Sequence, residues 1–375
     1  MNRAPRHSGQ SPLLAIFRLI FITTDLQPHM EAPLTFRALH PTFGAECSGV
    51  DFSQPVPEQT IGEIRAAMAR YGVLVFRRTR LDDAGHVAFA RQFGQLDTST
   101  VITMPWAKHR LAPHKELTDV GNIDNKGRVM PKSSLAFQGG RANGLFHVDC
   151  SFHARRAGYS ILRAHQLPPK GTGGGTMFAD TRTAYDDLED AIKKDISGYI
   201  LCHSSMHSKK IAAPDYIPFG IIKADEFSMI RRKLVQLHEP SGRINLYMAA
   251  HAHHIDGWTE KESQPVIQRL LQHASQDQYT FTIDWEDAGD LVIWDNTCVM
   301  HRGCGGSFQG RHIRDMRRAT VYDDSSSAWG LDGDSGIPSM SSSRIFLRTV
   351  RQLYRALSIG LAMAFTKPLE KGGSS

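Results

Sequence analysis

The chain has 375 residues, 41% of them hydrophobic, with a formal net charge of +6, which is enough for one large domain with a substantial core. The basic balance, at a pI near 9.1, suits a small anionic substrate, and basic residues scattered without interleaved aromatics exclude a single-strand nucleic-acid binder. Five cysteines with no CxxC pair exclude a disulfide framework and predict a reduced, cytoplasmic protein.

Residues 1–33 read as an N-terminal extension. Arg3, Arg6 and Arg18 precede the first acid, Asp25, so a mitochondrial presequence is the alternative to a plain leader. From Leu34 the domain begins. Ile61, Ile64, Met68 and Tyr71 recur at helical spacing. Gly72 and the strand Val73 to Phe76 follow. Asp82 or Asp83 caps a second helix that reaches Phe93, with Gly94 ending it. Residues 97–145 show little periodicity and read as long loops over a binding site.

Tyr159 to Leu167 is strand-like, and Thr176 opens another strand after the loop Pro168 to Gly175. Thr183 to Ile192 reads as one helix and Gly198 to Ser205 as a strand. Arg231, Arg232 and Lys233 read as a solvated face. His251, His253 and His254 invite a metal, but they end a strand before a helix whose Thr259 and Glu262 form a capping box. They are therefore read as structural. Ser325 to Ser343 reads as linker. Arg344 to Phe365 is a basic amphipathic helix, suited to docking on its own domain or on a second subunit, with a membrane surface as the alternative.

One constellation carries chemistry. His147 and Asp149 lie two apart, so on a strand both point to one face. His301 follows the strand-like run Leu291 to Trp294. Two imidazoles and one carboxylate leave half of an octahedron open, which suits non-haem Fe(II) that must bind a co-substrate and O2. After a loop with Gly303, Gly305, Gly306 and Gly310, Arg314 and Arg318 return four residues apart. A guanidinium grips a carboxylate by two parallel bonds.

These residues, in this order, resemble the taurine dioxygenase / 2,4-dichlorophenoxyacetate dioxygenase (TauD/TfdA) family, closer to the chlorophenoxyacetate branch. The resemblance covers residues 34–324. It runs through segments 71–76, 89–96, 146–152, 169–176, 178–188, 246–251, 294–302 and 314–320.

The resemblance implies a mainly β fold with flanking helices, a double-stranded β-helix or jelly roll. It implies an Fe(II)- and 2-oxoglutarate-dependent dioxygenase that uses O2 to oxidise a C–H bond and releases succinate and CO2. His147, Asp149 and His301 would hold iron. Arg314 and Thr176 would hold the far carboxylate of 2-oxoglutarate, with Arg311 or Arg317 as fallback anchors should the glycine loop shift the register. Arg318 would grip a small carboxylate or sulfonate substrate, and Asn143 would lie near it. Two alternatives stay open: a catalytically silent metal-binding jelly roll, and a membrane-associated accessory protein acting through its C-terminal helix.

Overall fold

The computed structural model describes residues 33–98, 110–220, 224 and 229–332. The N-terminal extension up to residue 32, the segment after Asp332 and the basic C-terminal helix lie outside the described residues. Among the described residues no helix is long and apolar enough to cross a membrane.

In chain order the strands and helices begin with β1 (Thr35–Ala38), β2 (Ala45–Ser48), α1 (Glu58–Tyr71), β3 (Val73–Phe76), α2 (Asp83–Arg91), β4 (Leu117–Asp119), α3 (Leu135–Gly140) and β5 (Ala157–Gln166). Next come β6 (Thr176–Asp180), α4 (Thr181–Asp186), α5 (Asp190–Ile196), β7 (Ile200–His203), α6 (Ser205–Ala212), α7 (Ile217–Gly220), β8 (Ile230–Lys233) and β9 (Val235–His238). The rest are β10 (Arg243–Leu246), β11 (Ala252–Ile255), α8 (Glu260–Ala274), β12 (Thr280–Ile283), β13 (Leu291–Asp295), β14 (Val299–Gly303) and β15 (Asp315–Tyr322).

The fold is mainly β. A seven-stranded sheet runs in the order β1-β2-β3-β13-β5-β15-β4. Its central strands alternate between two apolar environments, as a period of two requires. Leu74, Phe76, Ile161, Leu291 and Ile293 pack with Ile61, Ile64 and Met68 of α1 and Val87 and Phe89 of α2. Val73, Val75, Leu162, Val292 and Trp294 face the other way, onto Phe178, Ile283 and Val299 of a second layer. A strand buried on both faces reads as a continuous apolar run, which is what β3 and β13 show in the sequence.

The second layer comprises β12-β6-β14, β11-β7-β8 and the pair β9-β10. Single backbone links join the first two sets. His147 bridges to His301 of β14, and Ala250 N–H, just before β11, donates to Phe146 O at 2.9 Å. Helix α8 covers this layer through Ile267, Leu270 and Ala274. Its N-terminus carries both halves of the expected Thr259–Glu262 capping box. Asp82 caps α2 by accepting from Gly85 N–H at 2.7 Å.

Five sequence expectations need correction. The single helix from Thr183 to Ile192 is two short ones, α4 and α5, because Asp180 caps a turn that stops at Asp186. Helix α2 stops at Arg91, short of Phe93. The aperiodic stretch 97–145 contains β4, at an edge of the large sheet, and α3, capped by Ser134. Arg232 is not solvated. It is 2% exposed and donates to the carbonyls of Ser151, His153, Ala154 and Ala328. Short-range charge clustering does not reveal a guanidinium that caps distant carbonyls. Finally, residues 325–332 are not linker. Arg156 N–H donates to Ala328 O, Gly330 N–H to Ala154 O, and Leu331 N–H to Arg231 O.

That last segment begins beside a buried ion pair. Arg156 (2% exposed) donates to Asp323 Oδ2 at 2.7 Å and to Gln236 Oε1 at 2.6 Å, and lies over the Tyr247 ring. Removing one partner strands a buried charge. Asp323→Ala is therefore expected to cost about 3–5 kcal/mol, read as a lower urea midpoint. A loss below ~1 kcal/mol would show that Gln236 and Tyr247 alone suffice for Arg156.

Candidate active site

His147 and His301 exchange both backbone bonds. His147 N–H donates to His301 O at 3.0 Å, and His301 N–H donates to His147 O at 2.8 Å. Opposed residues in such a pair carry their side chains on one face, and the imidazole centroids stand 4.2 Å apart. The strand expected for His147 and Asp149 is only this one bridge. Asp149 already lies in a turn, and Cys150 sits at φ 55°. Asn296 fixes the turn by accepting from Asp149 N–H at 2.9 Å.

The three side chains still converge. Asp149 Oδ1 lies 3.9 Å from His147 Nε2, and Asp149 Oδ2 lies 3.7 Å from His301 Nε2. All three are buried. His147 Nδ1 lies 2.7 Å from Leu145 O. That contact assigns its proton to Nδ1 and leaves the Nε2 lone pair free for a ligand. Burial lowers the pKa of both histidines, that of His301 strongly, with the neighbouring His147 adding to it. They are therefore neutral, the form that binds metal. Burial works against the charge on Asp149, but the Arg318 guanidinium, helped by the Ser160 hydroxyl, outweighs it and holds the carboxyl far below its usual range.

A polar shell fixes the carboxylate. Ser160 Oγ donates to Asp149 Oδ2 at 2.6 Å. Asn296 Nδ2 donates to Ser160 Oγ at 3.0 Å and to Gly158 O at 3.1 Å, and Asn296 Oδ1 also accepts from Trp294 Nε1. Behind His147, Ser151 Oγ stands 3.0 Å from the Nδ1 atoms of both His203 and His251. Sequence reasoning missed Ser160, Ser151 and Asn296, since nothing local marks a side chain whose partners lie far away in the chain.

His147, Asp149 and His301 border a cavity of about 1390 Å³. Arg314 and Thr176 line it together. Arg314 Nε donates to Gly174 O at 3.0 Å, and burial draws its guanidinium down to about 10. Among the described residues no carboxylate pairs with Arg314. The fallback anchors are placed otherwise: Arg311 is exposed, and Arg317 pairs with Asp83 and Asp315. The glycine loop explains how Arg314 gets there. Gly173 and Gly306 bridge backbone to backbone, and a Cβ on Gly306 would stand 2.1 Å from Thr172 O. Only residues without Cβ allow that approach. Thr176 Oγ1 accepts from Trp285 Nε1 at 3.2 Å.

Arg318 faces the same cavity from β15, as the four-residue spacing predicts. Its Nη1 donates to Asp149 Oδ1 at 2.5 Å. Asn143 lies in the short helical turn Arg141–Gly144 on the cavity wall. The His253 and His254 rings stand away from this centre, with Nδ1 atoms 2.8 Å apart, and His253 faces Glu260.

The family model described as "Taurine catabolism dioxygenase TauD, TfdA family" matches residues 35–320. An alpha-ketoglutarate-dependent 2,4-dichlorophenoxyacetate dioxygenase of Burkholderia sp. (strain RASC) is 35% identical over 76% of this chain and 92% of the relative. An enzyme of the same description from Cupriavidus pinatubonensis (strain JMP 134 / LMG 1197) is 33% identical over 76% of this chain and 96% of its own. Among solved structures, AAD-2 in complex with Mn(II) and N-oxalylglycine matches with a TM-score of 0.69 at 31% identity, covering 79% of this chain and 99% of that one.

The shell around Asp149 gives a test that needs no substrate. Ser160→Ala and Asn296→Ala each remove an orienting contact, and each is expected to weaken divalent-metal binding about 10–100-fold. Anaerobic Mn(II) titration followed by electron paramagnetic resonance measures it. Affinities equal to wild type would mean that the shell does not orient the carboxylate.

Proposed function

The chain belongs to the TauD/TfdA family of dioxygenases, and on that premise we propose that its cavity binds a small anionic organic molecule and oxidises it at an unactivated C–H bond. The protein is an Fe(II)- and 2-oxoglutarate-dependent dioxygenase that uses O2. In our reading His147, Asp149 and His301 hold the iron. The donor set fits: two neutral imidazoles and one ionised carboxylate within 4.8 Å of one another. When bound, Fe(II) with 2-oxoglutarate and O2 supplies the oxidising power and leaves succinate and CO2 as by-products.

The chain's own residues bind and orient. Arg314, with Thr176 beside it, receives the far carboxylate of 2-oxoglutarate. A half-buried guanidinium on the cavity wall with no acidic partner among the described residues is the single observation that carries this reading. A cation drawn partly out of water calls for a counter-ion. Ser160 and Asn296 hold Asp149 in place, and the Leu145 carbonyl keeps the His147 proton on Nδ1. Arg318 faces the substrate while bonded to Asp149, and Asn143 flanks it. Trp294, Phe152 and Met206 give the cavity apolar wall on which a target carbon can be held. Hydroxylation is the outcome we propose. The double-stranded β-helix is the architecture we propose for the two sheet layers, supported by the links at His147 and Ala250. A cytoplasmic setting accords with five unpaired cysteines, four of them buried.

Neither alternative is favoured. A catalytically silent jelly roll has no use for Arg314 beside an intact ligand set. The membrane-associated reading depends on residues 344–365, outside the described residues.

Succinate release from 2-oxoglutarate by anaerobically purified, Fe(II)-loaded protein tests the reading across small carboxylates, sulfonates and neutral compounds. Turnover should be stimulated by an anion and vanish in the His147→Ala, Asp149→Ala double variant. Arg314→Met should raise the dissociation constant of 2-oxoglutarate about 100-fold, the usual effect of losing one side of a buried charged contact. If 2-oxoglutarate binds Arg314→Met as tightly as wild type, Arg314 is not its anchor.

A further inference from the structure

We propose that His207, His253 and Glu260 form a second metal site, one that takes a divalent cation of the zinc class and ties α6 to β11 and α8. The three share no residue with the centre of His147, Asp149 and His301, and none of them lines the cavity.

The ligands come from three elements. His207 stands on α6, His253 on β11, and Glu260 opens α8. Each offers one ligand atom, and those atoms all lie within 4.8 Å of one another. Glu260 Oε1 is 3.6 Å from His207 Nδ1, and Glu260 Oε2 is 3.3 Å from His253 Nε2. Neither is a charge-assisted hydrogen bond, which runs at about 2.7–2.9 Å. Both suit ligands of one ion, because bonds of about 2.0–2.1 Å in a tetrahedron set neighbouring ligand atoms roughly 3.4 Å apart. The corresponding contacts among His147, Asp149 and His301 are longer, at 3.9 and 3.7 Å.

The surroundings suit a cation as well. His207 and His253 are buried, and Glu260 is exposed, so water can complete the set. Burial and the neighbouring His253 draw His207 down to about 4. It is therefore neutral near pH 7, the form that binds metal. His253 has an outer partner, since its Nδ1 is 2.8 Å from His254 Nδ1. A proton held on His253 Nδ1 leaves Nε2 with a free lone pair, the arrangement that ligating histidines use. Gln264 of α8 closes the back of the cluster. Its Nε2 donates to the Ala252 and His253 carbonyls at 3.1 and 2.7 Å and stands 3.3 Å from His207 Nε2. Two imidazoles, one carboxylate and water make a donor set that zinc accepts.

The fold divides a run of histidines that the sequence left together. His251 turns to Ser151 Oγ at 3.0 Å, whereas the His253 ring meets His207 edge-on with centroids 4.9 Å apart. His253, read as structural, gains its missing co-ligands from α6 and α8. The position has a consequence for the cavity. Helix α6 presents Met206, Ser208 and Ile211 to it, so a cation on His207 fastens that wall to β11 and α8.

Zn(II) titration of the metal-stripped, full-length chain by calorimetry tests the site. Wild type should take two equivalents, and His207→Ala one, the remaining equivalent reporting an intact fold. The His147→Ala, Asp149→Ala double variant removes the other centre and should still take one. Adding His207→Ala to it should weaken that binding at least ~100-fold, beyond what losing an outer partner costs. Glu260→Gln, a change at an exposed position, should weaken it at least about tenfold. Co(II) in the double variant should show the intense visible bands of four-coordinate cobalt and lose them with His207→Ala. A double variant that binds no Zn(II) overturns the proposal. So does binding that His207→Ala leaves unchanged.

Discussion

Two backbone hydrogen bonds, exchanged between His147 and His301, are what the rest of the site depends on. They join a short extended piece of chain to the middle of β14 and put two imidazoles on one face. Everything around them serves to hold that pairing. On one side β14 pairs with β6, whose first residue is Thr176. On the other, Phe146 O takes the Ala250 N–H and so links the centre to β11 and β7. The chain between His147 and β5 cannot remain a strand, because Asp149 must turn inward to meet both rings. Asn296 replaces the lost ladder partner by accepting the Asp149 N–H from its side chain. A side-chain amide can do this because its oxygen has two acceptor positions. The second takes the Trp294 indole N–H.

The charges form a second layer of organisation. Two carboxylates line the cavity, Asp149 and Asp119, the latter held by Arg110 at 2.6 Å, and several cations face the same space. Arg318 neutralises Asp149 directly. Arg314 lines the cavity with no acid of its own among the described residues. Other buried cations have acids of their own. Arg156 is held by Asp323, Arg182 by Asp180 at 2.8 Å, and His238 by Asp295 at 3.1 Å. Each is closed within the protein and stiffens the shell behind the site.

Much of the candidate site was legible in the sequence because the side chains that converge there fall into short local patterns. His147 and Asp149 are two apart, His301 follows an apolar run, and Arg314 and Arg318 keep a spacing of four. The capping box at Thr259 and the helical face of α1 were equally local. What was not legible depends on residues distant in the chain. Arg232 in a basic cluster reads as solvated until four carbonyls from elsewhere surround it. Ser160 is one more small residue of β5 until Asp149 folds over it. Residues 325–332, polar and glycine-containing, read as linker because their bonds go to Ala154, Arg156 and Arg231. Composition describes the segment and says nothing of its partners.

The glycine loop shows the same limit in a more useful form. Its glycines left the register of Arg314 open, since a flexible loop of that length permits several placements. The structure resolves this by close approach and not by flexibility. Gly173 and Gly306 touch backbone to backbone, at a separation no side chain allows. That contact draws the loop before Arg314 against the loop before Thr176. The guanidinium comes to rest on the Gly174 carbonyl as a result. So the glycines act as a clamp, and the hydroxyl and guanidinium proposed to share one carboxylate are brought to it by the same contact.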